Sequence, residues 1–186
     1  MKRLVTKRLI LRELKLDDAI DFYHYCKKPT IGPNAGWKPH ESIEESFKIL
    51  KIMIKDQEVW GITLKEKDQI IGTIGLHTLS FENALSNRKE IGYVLDDVHW
   101  GKGLMVEAVL KVLAYAFIDL ELDEVLCGHK TDNIQSKRVI EKTGFTYTHT
   151  EERKHYDGNM VPIVMYKMTK QEYKEGIKHD QSEDKV

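Results

Sequence analysis

The sequence predicts a mixed α/β fold in which helices pack on a mainly antiparallel sheet. Two observations carry that expectation. Candidate elements run in the order strand, two helices, three strands, helix, strand, helix, two strands, which suits neither a bundle nor a sandwich. Within Glu90–Glu107 an alternating apolar run (Ile91, Tyr93, Leu95) gives way to apolar residues at helical spacing through a turn that holds two glycines.

The elements follow in chain order. Leu4–Leu14 alternates as a first strand, with Leu9 and Leu11 on one face and Arg8 and Arg12 on the other. Asp17 can cap a helix to about Lys27, whose apolar face would be Ile20, Phe22, Tyr23 and Cys26. Pro29–Trp37, punctuated by two prolines and two glycines, is expected to be irregular, with Trp37 either lining a site or anchoring the loop. Ser42-Ile43-Glu44-Glu45 reads as a capping box opening a helix that carries Ile43, Phe47, Leu50, Met53 and Ile54. Glu58–Lys65 and Ile70–Leu79 form a predicted hairpin, where Gly72 and Gly75 mark a bulge or a close backbone approach. Ser80–Arg88 is a loop before the central strand, and the helix after the glycine turn carries Met105, Val109, Val112, Leu113 and Ala116. A short strand, Glu124–His129, precedes a helix over Ile134–Thr143 that Gly144 would end. Phe145–His155 and Met160–Met168 pair around Asp157-Gly158, a strong hairpin signal. One domain over 1–170 is expected, followed by a polar tail over 171–186, disordered from about His179.

Composition narrows the function classes. The 186 residues are 41% hydrophobic and 32% charged, as in soluble globular domains. Lys and Arg number 29 against 30 Asp and Glu, and basic residues are interleaved with acids, so neither nucleic acid nor an anionic membrane surface is an expected partner. No apolar run approaches the ~20 residues a membrane span requires. Cys26 and Cys127 lack metal-ligand spacing and read as free thiols in a reducing cytoplasm, the expected location, and no metal site is predicted.

The glycine turn, Trp100-Gly101-Lys102-Gly103, carries the chemistry. A strand feeding a helix through such a turn leaves the first helical N–H groups unpaired, an anion site. It is not a P-loop, because no GxxxxGK[ST] run exists, and not a dinucleotide fingerprint, because Val106 stands where a third glycine would be needed. Trp100 through Met105 resembles the pyrophosphate-binding turn of the GNAT acyltransferases, written Q/R-x-x-G-x-G/A. With Glu90-Ile91-Gly92-Tyr93 before it and Glu107-Ala108 after it, the wording is similar to the RimJ/RimL branch, which acetylates protein N-termini. Asn133-Ile134-Gln135-Ser136 resembles that family's N-x-x-S, and Glu141-Lys142-Thr143-Gly144-Phe145 its EKxGF. The sequence departs from the pattern at Met105, where the family prefers glycine or alanine, and at Trp100, where the wider superfamily has Gln or Arg.

The resemblance spans roughly residues 4–168 and implies an acetyl-CoA-dependent N-acetyltransferase of GNAT fold, with acetyl-CoA as cofactor and an amine as acceptor. The strands Glu90–Asp96 and Glu124–His129 would splay apart around pantetheine. Val94 and Leu95, with the N–H groups of Trp100, Gly101, Lys102, Gly103, Leu104 and Met105, would hold the cofactor, and the Leu95 amide would polarise the carbonyl. Asn133 would hold pantetheine and Ser136 would protonate or hydrogen-bond the leaving thiolate, although both also read locally as a helix cap and a first-turn residue. Glu90, carried over as the base, alternatively pairs with Arg88 or Lys89. His77 has the better ordinary pKa for that role, and Tyr93 reads as packing.

The leading acceptor is a protein N-terminal amine, perhaps of a ribosomal protein. The alternative is a small-molecule amine, polyamine or aminoglycoside-like, for which Glu41, Glu44 and Glu45 could line a pocket. A third reading is a non-catalytic acyl-CoA-binding module. An exposed sheet edge or the last hairpin offers a surface for a homodimer.

Overall fold

The computed structural model describes residues 1–79 and 87–183. Its strands are β1 (Leu4–Val5), β2 (Leu9–Glu13), β3 (Val59–Leu64), β4 (Ile70–His77), β5 (Arg88–Leu95), β6 (Glu124–Lys130), β7 (Thr146–Lys154) and β8 (Met160–Thr169). The helices are α1 (Ala19–Cys26), α2 (Gly32–Ala35), α3 (Ile43–Asp56), α4 (Leu104–Ala114), α5 (Ile134–Lys142) and α6 (Lys170–Glu183). Among the described residues the strands form one sheet, in the order β1-β2-β3-β4-β5-β6-β8-β7. Every neighbouring pair is antiparallel except β5 and β6, which are joined by the α4 crossover and run parallel. The mixed α/β architecture predicted from the sequence is the one observed.

Strand alternation divides the core between the two faces. Ile91, Leu95, Val125 and Cys127 pack with Leu104, Ala108, Val109 and Val112 of α4 in the larger cluster. On the other face a smaller cluster joins Val59 and Ile70 to Phe22, Tyr25 and Cys26 of α1 and Leu50 of α3, with Val94 against it. Gly72 is required by a close approach, since a Cβ there would lie 2.3 Å from the Val94 carbonyl oxygen. The register of β3 on β4 also shifts beside it, between Ile62 and Thr63.

Several elements differ from expectation. The first strand is two strands, because Thr6 turns the chain: its amide donates to the Leu9 carbonyl at 3.0 Å, and its Oγ1 accepts from the Leu9 amide at 2.8 Å. Asp18, not Asp17, organises the start of α1, accepting from the Lys15 amide at 2.7 Å while it pairs with Arg12. The buried face of α1 is Ala19, Phe22, Tyr25 and Cys26, and Ile20 is 68% exposed. Within Pro29–Trp37 a single helical turn, α2, forms with Pro33 in its first turn, where a missing N–H costs nothing. Ser42 caps α3 from the Glu45 amide, but the Glu45 carboxylate reaches back to the Glu41 amide rather than to that of Ser42.

The polar tail, expected to be disordered only from about His179, is helical over Lys170–Glu183. Thr169 and Glu172 form a capping box, each side chain accepting from the other's amide, at 2.7 and 3.2 Å. Tyr173 stacks on Phe117 at 4.9 Å, which docks the helix. Of the predicted Ser80–Arg88 loop, residues 80–86 lie outside the described residues, and Arg88 already belongs to β5.

Candidate active site

The parallel pairing of β5 and β6 is short. It joins Arg88 to Glu124, Lys89 to Val125 and Glu90 to Leu126, and beyond Glu90 the two strands part. A cavity of about 710 Å³ occupies the split, walled by β5 and β6, the starts of α4 and α5, the α2 segment and the end of β7. On its other edge β5 stays paired with β4, and the Asp96 amide donates to the Ile71 carbonyl at 2.9 Å. Alternation along an antiparallel ladder then turns the amides of Tyr93 and Leu95 into the split, and that of Val94 towards β4. The Leu95 carbonyl accepts from the Trp100 indole at 2.7 Å, which closes the turn onto the strand.

At the turn, Gly101 and Gly103 have φ of +74° and +71°, conformations glycine adopts without strain. The backbone N–H groups from Gly101 through Val106 have no acceptor among the described residues. That row of orphan donors at a helix start is the feature that fits a phosphate-bearing cofactor. Met105 does not obstruct it, because its side chain is buried in the core beneath. Lys102 turns its Nζ to the Val98 carbonyl at 2.9 Å, so the contribution of this stretch is backbone. The turn is braced from behind: Arg8 donates to the Lys102 carbonyl and, with Thr6, to the Glu107 carboxylate. Burial pushes Glu107 up, but those hydrogen bonds outweigh it and hold the carboxyl below its usual range.

In the middle of the split lies Ser136, in the first turn of α5. Its amide donates to the Asn133 side chain at 3.0 Å, and the Asn133 amide nitrogen donates to the Asn34 carbonyl at 3.3 Å. Ser136 Oγ is 3.0 Å from the Tyr93 hydroxyl, so a residue expected only to pack touches a candidate catalytic group.

At the far end, Glu90 and His77 stand opposite each other on β5 and β4. The partner of Glu90 is neither Arg88 nor Lys89 but Arg153 of β7, whose guanidinium donates to both carboxylate oxygens at 2.9 and 3.3 Å. Lys89 instead pairs with Glu58 at 2.9 Å, and the other Glu58 oxygen is 3.7 Å from His77 Nδ1. His155 donates from Nε2 to the Pro33 carbonyl at 3.2 Å when that nitrogen carries the proton, tying α2 to β7. Trp37 both lines the cavity and packs on His40 at 5.1 Å, so the two readings of it coexist. Arg153 and His155 carry no local sequence signal, since each acts across more than 60 residues.

The α2 segment is fastened to the glycine turn from its other side. Lys28 bonds Asp96 and, at 2.7 Å, Asp97, which also accepts from Thr30 at 2.8 Å. Mainly through Lys28, the Asp97 carboxyl is held down at about 2. A depressed carboxyl stabilises the fold fully above its unfolded pKa of about 3.8, and that stability is lost as pH falls through about 2. Asp97→Asn is therefore expected to melt below the unsubstituted chain at pH 7, with the gap closing between about pH 4 and pH 2. Melting curves at stepped pH check this, and a gap independent of pH would contradict it.

A sheet split beyond a short parallel pairing, with free amides at one end and a hydroxyl midway, is the arrangement of an acyltransferase. Comparison with known proteins agrees. Residues 8–146 match the model of the acetyltransferase (GNAT) domain. The chain is 30% identical over 180 residues to the uncharacterized N-acetyltransferase p20 of Bacillus licheniformis, covering 93% of this chain and 99% of that one. It is 30% identical over 80 residues to the ribosomal-protein-serine acetyltransferase of Escherichia coli, 43% of each chain. A GNAT-family acetyltransferase from Bacillus anthracis superposes with a TM-score of 0.81 at 18% identity, over 91% of this chain and 99% of that one. This chain belongs to the GNAT family of acetyltransferases, a family that generally uses acetyl-CoA. No helix among the described residues is long and apolar enough to cross a membrane.

Proposed function

We propose that the protein acetylates the α-amine of a protein N-terminus, using acetyl-CoA. The observation that carries this reading is the state of Glu90. Among the described residues it is the one carboxylate on the cavity wall, and Arg153 donates a hydrogen bond to each of its oxygens. Any carboxylate is a weak base beside an amine. An α-amine of pKa about 7.8 costs only about 1 kcal/mol to deprotonate at pH 7, against about 4.6 kcal/mol for an amine near 10.4. Glu90, directly or through one water, suffices for the first and not for the second. His77, across the sheet from it, is the second candidate base.

Acetyl-CoA would supply an activated thioester. The amides of Gly101 through Met105 would hold the diphosphate, and Val94 with Leu95 would form the wall along pantetheine. The Leu95 amide would donate to the carbonyl oxygen as charge builds on it. Ser136 would donate a hydroxyl hydrogen bond to the departing sulfur, whose proton comes in the end from the acceptor amine, and Asn133 fixes Ser136 through the helix cap. Engaging pantetheine would require Asn133 to release Asn34.

A polyamine acceptor is less well served. Glu41, Glu44 and Glu45, which could have supplied carboxylates, stand outside the cavity wall, and Glu41 is spent on Lys38. The name of the Escherichia coli relative supports a ribosomal protein as the acceptor class. Coenzyme A at a hundred times its Kd should stabilise the fold by about 2.7 kcal/mol, a rise of several degrees in Tm. Free-thiol release from acetyl-CoA should appear with N-terminal peptides whose lysines are blocked, and turnover confined to polyamines or aminoglycosides would overturn the assignment.

A further inference from the structure

We propose that Tyr93 is a positioning residue for Ser136, and that its hydroxyl keeps the serine's hydrogen aimed into the split. The inference rests on the acetyl-transfer reading. Tyr93 sits on β5 with its ring on the α4 and α5 side of the sheet, packed against the larger core. Its hydroxyl oxygen lies 3.0 Å from Ser136 Oγ and 3.3 Å from the Ser136 carbonyl.

Two hydroxyls side by side can point their hydrogens in either direction, and only one direction serves the reaction. A serine that donates to tyrosine would present a lone pair to the leaving sulfur, which is the wrong polarity for assisting it. The Ser136 carbonyl, 3.3 Å from the phenol oxygen, can only accept, so it and Oγ together draw the phenol's hydrogen towards Ser136. Burial holds the phenol well above its ordinary range, so it keeps that hydrogen. The phenol then donates to Ser136 Oγ, and the serine is left with its own hydrogen facing the cavity. Tyr93 does not itself lose a proton. Its hydrogen bond strengthens as the serine's hydrogen is drawn towards the sulfur and charge builds on Oγ.

The test is Tyr93→Phe in the full chain, measured by thiol release with whichever acceptor the unsubstituted chain uses. Turnover should fall about tenfold, with KM for acetyl-CoA and thermal protection by coenzyme A unchanged. A merely structural role would not predict the second readout. In a Ser136→Ala background, adding Tyr93→Phe should change turnover by less than twofold, because there is no hydroxyl left to aim. An equal tenfold loss in both backgrounds, or a rise in KM at unchanged kcat, overturns the inference. Tyr93→Leu also removes the hydroxyl. It should show the same loss, again only when Ser136 is present, and it decides the matter if Tyr93→Phe does not fold; unchanged kcat in Tyr93→Leu then overturns the inference. Turnover that is absent from the unsubstituted chain removes both this inference and the functional reading. Turnover that is normal in both variants removes this inference alone.

Discussion

Ser136→Ala is expected to lower kcat about a hundredfold while leaving coenzyme A binding intact. A positioned general acid contributes about 10²-fold or more, and Ser136 is the hydroxyl on α5 that lines the split. The substitution removes one oxygen and keeps the helix start, because the contact with Asn133 is made by the Ser136 amide, not its side chain. The amides proposed to hold the cofactor, Gly101 through Met105, lie on the glycine turn and the start of another helix and are untouched. Loss of kcat with unchanged thermal protection by coenzyme A therefore marks a catalytic group. Loss of both would make Ser136 part of the binding surface. A chain with no turnover before substitution, yet protected by coenzyme A, would be the non-catalytic binding module.

Those parts of the site whose signals are local could be read from the sequence. The glycine turn was legible because positive φ selects glycine at two nearby positions. The Asn133–Ser136 cap was legible because its partners are three residues apart. The clamp on Glu90 was not, since its arginine lies 63 residues away on a strand that returns past β6 only in the folded sheet. For the same reason Tyr93 read as packing: 43 residues separate it from Ser136, and nothing near Tyr93 says which side of β5 will meet α5. The failure at α6 is of another kind. Thr169-Lys170-Gln171-Glu172 is a capping-box pattern in plain view, and a polar composition outweighed it because the docking contact of Tyr173 on Phe117 is not local. Asp17 and Asp18 are equivalent by propensity, and only the position of Arg12 across the strand distinguishes them.

That last pair also gives the largest expected loss of stability. Asp18→Ala should destabilise the fold by about 3–5 kcal/mol, near the cost of breaking a buried ion pair from one side. Arg12 and Asp18 are 9% and 5% exposed, and the guanidinium meets the carboxylate with two hydrogen bonds of 2.8 and 2.7 Å. Removing the carboxylate leaves a buried cation and also strips the Lys15 amide of its acceptor. Asp68 remains on Arg12 Nε at 2.6 Å, but it is a surface group, 68% exposed at its side chain, and water screens what it offers. At about 2–4 °C per kcal/mol for a domain of this size, Tm should fall on the order of 10 °C. Asp68→Ala should cost under about 1 kcal/mol, and Arg12→Met with Asp18→Leu should recover most of the loss, because the charge and its burial are removed together. A loss below about 1 kcal/mol for Asp18→Ala would mean that water reaches the pair. Neither Arg12 nor Asp18 lines the cavity, so below its melting point the Asp18→Ala chain should still gain protection from coenzyme A. Protection lost there would tie this ion pair, through α1 and the segment that roofs the cavity, to the cofactor site itself.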